Sequence, residues 1–101
     1  MIELGGNITL VGFKELGYAE FVVIKKVVGN YARKISDKLE FSNLTLTLKP
    51  IHKIGDEISK YEIKGKLEID GTMYNAEVVE YNLFVGIDNL LKKLMTQLKL
   101  N

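Results

Sequence analysis

The spacing of apolar residues changes repeatedly along this chain, and the changes mark successive predicted strands and helices. At the N-terminus, apolar residues and one glycine occupy alternate positions, which is the period of a half-buried β-strand. These positions are Ile2, Leu4, Gly6, Ile8 and Leu10. Gly5 and Gly6 predict a bulge or a bend inside this first strand.

An amphipathic helix is predicted between about residues 14 and 38, because apolar residues recur there every three or four positions. Its apolar stripe consists of Leu16, Phe21, Ile24, Val27, Val28, Tyr31, Ile35 and Leu39. Gly29 lies inside this helix, where a glycine costs about 1 kcal/mol relative to alanine. Gly12 and Gly17 mark a loose connection before it.

A second strand is predicted after this helix, because alternation with period two returns. Its apolar positions are Leu44, Leu46 and Leu48. Pro50 is expected to end the strand or to place it at a sheet edge, since proline cannot donate a hydrogen bond to the sheet. Residues 52–57 are expected to form a turn.

Two further strands follow, joined by a tight hairpin. The third strand alternates apolar residues and a glycine with charged residues at positions 60–69. Asp70-Gly71 predicts a type I′ turn, which needs positive φ at both central residues. The inward positions of the fourth strand are Tyr74, Ala76 and Val78.

A second amphipathic helix is predicted to run nearly to the C-terminus, with Asn82 as its N-cap. Its apolar positions are Phe84, Ile87, Leu91, Leu94, Met95 and Leu98. The predicted order is β-α-β-β-β-α, an α+β domain formed by residues 1–101. A four-stranded sheet, whose last three strands form an antiparallel meander, is expected to carry both helices on one face.

The amino-acid composition restricts the possible classes of function more than the net charge does. The 101 residues are 47% hydrophobic and 27% charged, with no cysteine and a formal net charge of +1. This is an ordinary globular mixture, and disulfides and thiolate metal sites are excluded. No signal peptide and no bilayer-length apolar run are apparent, so the expected location is the cytoplasm.

No arrangement of catalytic residues is apparent. His52 is the sole histidine and falls in the predicted turn, so a zinc cluster cannot be assembled. Ser36, Ser42 and Ser59 have no histidine within plausible reach. Three carboxylates are expected to form cross-strand pairs with neighbouring lysines rather than an acid and base pair; they are Glu62, Glu68 and Glu77. The expectation is a non-enzymatic protein with no cofactor, no metal and no small-molecule substrate.

Basic residues are concentrated on the polar sides of the two predicted helices. On the first helix, Lys26, Asn30, Arg33 and Asp37 share one stripe. The remaining basic helical positions are Lys25, Lys34, Lys38, Lys92, Lys93 and Lys99. If both helices cover one face of the sheet, these side chains lie on one outer layer. Such lysines can bind a polyanion, or they can serve only to keep the protein soluble.

The C-terminal segment resembles the ribosome hibernation-promoting factor family, also called ribosome-associated translation inhibitors. That family's last helix opens with Asp or Asn, an apolar residue and an aromatic residue, and continues with fixed small, acidic and basic positions. The matching residues here are Asn82, Leu83, Phe84, Gly86, Ile87-Asp88, Lys93-Leu94 and Gln97-Leu98. The first helix is also similar, through Phe21-Val22, Lys25 and Lys34-Ile35.

The resemblance implies the fold of that family, which is related to double-stranded-RNA-binding domains. It also implies a short-form protein that occludes the mRNA and tRNA channel of the small ribosomal subunit and inhibits translation in resting cells. Lys25, Lys34 and Lys93 match basic positions of the family and are the first candidates for contacts to ribosomal RNA. Geometry adds their neighbours Lys26, Arg33, Lys92 and Lys99.

Two alternatives remain open at this stage. The first is a protein–protein module of the same fold that never meets RNA and forms a homodimer through its open sheet face or an edge strand. Val79 and Tyr81 are the candidate contacts for such a dimer. The second alternative is an enzyme of unknown class. No membrane partner is expected.

Overall fold

The computed structural model describes residues 2–5, 7–55 and 57–99, and for 52–54 and 57–59 it describes the backbone. The elements are β1 (Ile2–Glu3), β2 (Ile8–Val11), α1 (Tyr18–Ser36), β3 (Asn43–Ile54), β4 (Glu57–Ile69), β5 (Thr72–Glu80) and α2 (Leu83–Gln97). The strands form one sheet in the order β1-β2-β3-β4-β5. β2 and β3 run parallel, and every other neighbouring pair is antiparallel.

The α+β class, the two helices and the antiparallel meander of β3, β4 and β5 are confirmed. The strand number differs, because the N-terminal segment is a hairpin rather than one bent strand. Ile2 pairs with Leu10 and Glu3 with Thr9, and the Leu4 N–H donates to the Ile8 carbonyl at 2.8 Å. The expected bulge at Gly5-Gly6 includes Gly6, which lies outside the described residues. The sheet therefore has five strands instead of four.

The turn predicted at 52–57 is shorter than expected, because β3 continues to Ile54 and β4 begins at Glu57. Pro50 does not end β3. The register between β3 and β4 shifts between Pro50 and His52 and again between His52 and Lys53. Such an irregularity is where a sheet accommodates a residue without an N–H. His52 thus belongs to a strand, and its side chain lies outside the described part of the chain.

Both helices cover one face of the sheet and close a single apolar core. The sheet contributes Leu10, Leu44, Leu46, Leu48, Ile63 and Leu67, and the helices contribute Ile24, Val28, Ile35, Leu90, Leu91 and Leu94. None of the described residues that are buried is polar or charged. A β-carbon built on Gly65 of β4 would lie 3.2 Å from the side chains of Leu90 and Leu94, which shows how closely α2 crosses that strand.

The helix boundaries follow their local signals. α1 begins at Tyr18 rather than near residue 14, and the Glu20 carboxylate accepts a hydrogen bond from the Gly17 N–H at 3.3 Å. Asn82 caps α2 as predicted: its Oδ1 accepts from the N–H groups of Phe84 at 2.9 Å and Val85 at 3.1 Å. Phe84 was assigned to the apolar stripe but is 37% exposed, and Leu83 is buried instead.

Gly71 and Gly12 both lie where the backbone conformation favours glycine. Asp70 and Gly71 have φ values of 49° and 79°, as the predicted hairpin turn demands. Gly12 follows β2 with φ 84°, and a β-carbon there would overlap the carbonyl oxygen of Leu48 in β3. Since Leu48 is fixed in the sheet opposite Ile63, the chain leaving β2 can pass this point only without a side chain.

Gly12→Ala is expected to destabilise the protein by about 2–5 kcal/mol, because backbone strain and a steric overlap add together. Gly71→Ala is the matched control: its φ is nearly the same, and its β-carbon would meet nothing within 4 Å. It should cost about 1–2 kcal/mol. The free energies of unfolding from denaturant titrations measure both values. Equal losses in the two variants would contradict the overlap with Leu48.

Candidate nucleic-acid interface

A part-buried polar contact joins the two helices. The Tyr31 hydroxyl of α1 donates to Asp88 Oδ1 of α2 at 2.5 Å. Lys92, one turn further along α2, forms an ion pair with Asp88 Oδ2 at 2.9 Å. Lys34 Nζ lies 5.2 Å from the centre of the Tyr31 ring, within cation–π range. We call Tyr31, Lys34, Asp88 and Lys92 the Asp88 joint.

The environment of the joint shifts two pKa values in opposite directions. Burial, followed by the hydrogen bond to Asp88 and the negative charge of that carboxylate, raises the pKa of Tyr31 from 10.0 to about 12. The hydrogen bonds from Tyr31 and Lys92 hold the pKa of Asp88 below its usual value, and the charges of Lys92 and Lys34 act in the same direction. Asp88 is therefore ionised at neutral pH. Two cations and one anion leave the joint with a net positive charge.

A second set of basic residues lies along the outside of α1. Lys25, Lys26 and Arg33 line a shallow depression of about 560 Å³ together with Val22, Gly29 and Asn30, and we call this the α1 depression. Ion pairs among the described side chains join Lys92 to Asp88 and Lys64 to Glu62, and none involves these three cations. Their charges are therefore available to a ligand.

Lys93 and Lys99 lie apart from the other cations. Lys93 Nζ donates to the backbone carbonyl of Glu77 in β5 at 3.1 Å, so this side chain reaches toward the edge of the sheet. Gln97 Nε2 donates to the carbonyl of Asn75 on the same strand at 2.6 Å. A groove of about 850 Å³ separates α2 from β5 there. Lys99 is exposed just beyond the end of α2.

The structure therefore divides the seven sequence-derived site residues among four places. Lys34 and Lys92 meet at the Asp88 joint, and Lys25, Lys26 and Arg33 share the α1 depression. We call these five residues together the helical surface. Lys93 faces the β5 edge, and Lys99 lies past the end of α2. The contact of Tyr31 with Asp88 has no signal in the sequence, because the two residues lie 57 positions apart.

The opposite side of the sheet carries mixed charge. Lys64 lies opposite Glu77 on β5, and Lys49 lies opposite Glu62 on β4, so the paired positions alternate in sign. The ion pair formed there is Lys64 with Glu62 of the same strand, at 3.8 Å. Met73 and Val79 are exposed on this side. We call it the open sheet face.

The described residues contain neither a metal-binding cluster nor a membrane-spanning helix. Within residues 2–5, 7–55 and 57–99, no three His, Cys, Asp or Glu side chains come together in a way that could hold a metal ion. Over the same part of the chain, neither helix combines the length and the apolar character that crossing a bilayer requires. The side chains of Ser59 and His52 are not in the described part of the structure.

Solved structures with the same fold are known. The N-terminal domain of protein Y from Thermus thermophilus matches with a TM-score of 0.64 and 19% identity, over 93% of this chain and 97% of that one. A ribosomal subunit interface protein from Coxiella burnetii matches with a TM-score of 0.59 and 18% identity, over 92% and 91%. No protein-family model and no curated protein sequence matches the chain. The fold implied by the sequence resemblance is confirmed.

The Tyr31 hydroxyl is expected to titrate near pH 12, later than an ordinary tyrosine. A tyrosine whose pKa is raised on folding stabilises the protein fully below the unfolded value of 10.0. That contribution is lost as the pH rises toward about 12. Tyrosinate absorbance measured against pH should show this late step, and Tyr31→Phe should remove it.

Tyr18→Phe, at a fully solvated position, is the control and should leave the late step in place. Unfolding titrations between neutral pH and pH 12 should show a smaller alkaline loss of stability in Tyr31→Phe than in the native chain. An unchanged late step in Tyr31→Phe would contradict the hydrogen bond to Asp88.

Proposed function

We propose that this chain binds ribosomal RNA of the small subunit through its helical surface and inhibits translation without catalysing a reaction. It acts in the cytoplasm of resting cells by occupying the channel that mRNA and tRNA use. Binding places the positive side chains of α1 and α2 against RNA phosphates. Lys25, Lys26, Arg33, Lys34 and Lys92 form the main contact set, with Lys93 and Lys99 at its margins.

The observation that carries the proposal is the convergence of cations from two separate helices. Lys34 and Lys92 are far apart in sequence, yet both act on the single carboxylate of Asp88. The unpaired cations of the α1 depression continue the positive surface along α1. The fold is also shared with a protein named for the ribosomal subunit interface. A nearly neutral protein can thus present one positive side to a polyanion.

Recognition of this kind depends on phosphate charge and on RNA shape rather than on base sequence. Each phosphate neutralised by a lysine or an arginine releases bound counterions, so the affinity falls as salt is added. With about four such contacts, a fourfold rise in salt should weaken binding on the order of a hundredfold. This steep dependence distinguishes the proposal from an apolar protein contact.

Reversing charges on the helices is expected to abolish binding to small ribosomal subunits. The test variant is Lys25→Glu/Lys26→Glu/Lys34→Glu, which lies wholly within the helical surface, and cosedimentation at low and high salt is the measurement. The control reverses three lysines of the open sheet face, Lys49→Glu/Lys64→Glu/Lys66→Glu, with the same change in net charge. The control should retain most of its binding at low salt.

Circular dichroism and the unfolding midpoint establish that both triple variants are folded. If the two variants lose binding equally, net charge rather than the helical surface governs the association. If the folded helix variant binds as the native chain does, the assignment of the helical surface is wrong.

Asp88→Asn is expected to strengthen RNA binding while weakening the fold. The amide oxygen still accepts a hydrogen bond from Tyr31, but Lys92 and Lys34 lose the neutralising charge. The affinity for small subunits should rise roughly two- to tenfold at low salt, and the gain should disappear at high salt. Glu77→Gln on the open sheet face is the control. An equal gain in both variants would show that the position of the charge is immaterial.

A homodimer formed through the open sheet face is the second candidate function. It is favoured by the exposure of Met73 (53%), Val79 (48%) and Tyr81 (68%) on or beside that face. Sedimentation of the chain alone tests it with the same two triple variants. Self-association that only the open-sheet-face variant disrupts, without binding to ribosomal subunits, would replace the RNA proposal with this one.

A further inference from the structure

We propose that the α1 depression holds the backbone of a single-stranded RNA segment and that the ring of Tyr18 stacks on one of its bases. The inference rests on the proposed RNA-binding function and assigns part of it to a specific site. Tyr18 was not among the residues identified from the sequence.

Among the described residues, none requires a glycine at position 29. It lies in the middle of α1, its φ is ordinary, and a β-carbon built on it would meet nothing within 4 Å. A glycine inside a helix lowers the stability of that helix relative to alanine. What the missing side chain does provide is open backbone at the floor of the α1 depression, where a ligand can approach closely.

Cations lie on both sides of Gly29, which forms the floor of the α1 depression. Lys25 and Lys26 lie one turn before Gly29 and Arg33 lies one turn after it, so all three project from the same outer side of α1. No carboxylate among the described side chains forms an ion pair with them. The planar guanidinium of Arg33 suits two oxygens of one phosphate, and the lysines act as point charges. Charge complementarity therefore selects a polyanion as the occupant.

Tyr18 extends the same surface toward the N-terminus of α1. It is 84% exposed, the highest value among the large hydrophobic residues described. Spacings of four and seven residues place it in line with Val22 and Lys25, and it lies about 11 Å along the axis from Lys25 at 1.5 Å per residue. The described rings with a cation nearby are those of Tyr31 and Tyr81, so the Tyr18 ring is free to contact a ligand.

The combination of unpaired cations and an exposed aromatic ring suits a single strand with an unstacked base better than a duplex. Single-stranded RNA is bound by positive grooves that follow its backbone and by aromatic rings that stack on its bases. A duplex presents phosphates and hydroxyls to such a surface but no free base face for Tyr18. The exposed aromatic residue beside unpaired cations therefore indicates that this part of α1 binds a single strand.

The test measures binding of a labelled oligouridylate by fluorescence anisotropy. Gly29→Gln fills the floor with an uncharged side chain that favours a helix, so its unfolding midpoint should rise while its affinity for oligouridylate falls roughly fivefold or more. Tyr18→Ala should lose a similar factor, because one stacked base is removed. Tyr18→Phe keeps the ring and should bind as the native chain does.

Tyr81→Ala is the matched control, because Tyr81 is another exposed aromatic residue but lies next to the open sheet face. It should bind oligouridylate normally. A duplex RNA of the same length provides the second probe, and Tyr18→Ala should not alter binding to it. Loss of duplex binding as large as the loss for oligouridylate would overturn the single-strand assignment.

Small ribosomal subunits separate this inference from the function on which it rests. If the native chain binds subunits, but Gly29→Gln and Tyr18→Ala bind oligouridylate unchanged, the α1 depression does not hold a single strand and the proposed function stands. If the native chain binds neither subunits nor oligouridylate, both proposals fall.

Discussion

One constraint governs this molecule: the apolar face of its sheet has to be covered. Leu44, Leu46, Ile63 and Leu67 form that face, and no single helix of this length covers it alone. α1 and α2 therefore lie side by side, and hydrophobic burial turns their polar sides in the same outward direction. The convergence of positive side chains on the helical surface is a consequence of core packing rather than of attraction between the helices.

The Asp88 carboxylate offsets two like charges that this packing brings close together. Lys34 and Lys92 would repel each other across the helix boundary, and the carboxylate between them reduces that repulsion while its hydrogen bond from Tyr31 ties α1 to α2. Under the proposed function, the same carboxylate would neutralise part of the positive charge that the helical surface offers to RNA. Attachment of the helices to each other and attraction of a polyanion would then compete at one residue.

Local signals in the sequence predicted most of the fold and missed what depends on distant residues. Alternation in 44–48, the Asp70-Gly71 turn and the Asn82 cap were correct because each is determined within a few residues. The alternation of apolar residues at the N-terminus continues across the reversal between β1 and β2, so the alternation alone could not reveal the hairpin. The sheet accommodates Pro50 through a shift in register, which the sequence pattern also did not reveal. Helical periodicity put Lys92 and Lys93 on one polar side, yet a rotation of about 100° per residue sends Lys93 to the β5 edge. The helical surface was thus only partly predictable.

The hydrogen bonds from Lys93 and Gln97 to β5 have a consequence for how this protein behaves among its copies. β5 ends the sheet, and the exposed backbone of such a strand is a template on which another chain can add. The amine and the amide occupy the carbonyls of Glu77 and Asn75 that an incoming strand would need. Growth of the sheet from this side must first displace two side chains of α2, so this helix shields the edge of β5 as well as covering the core.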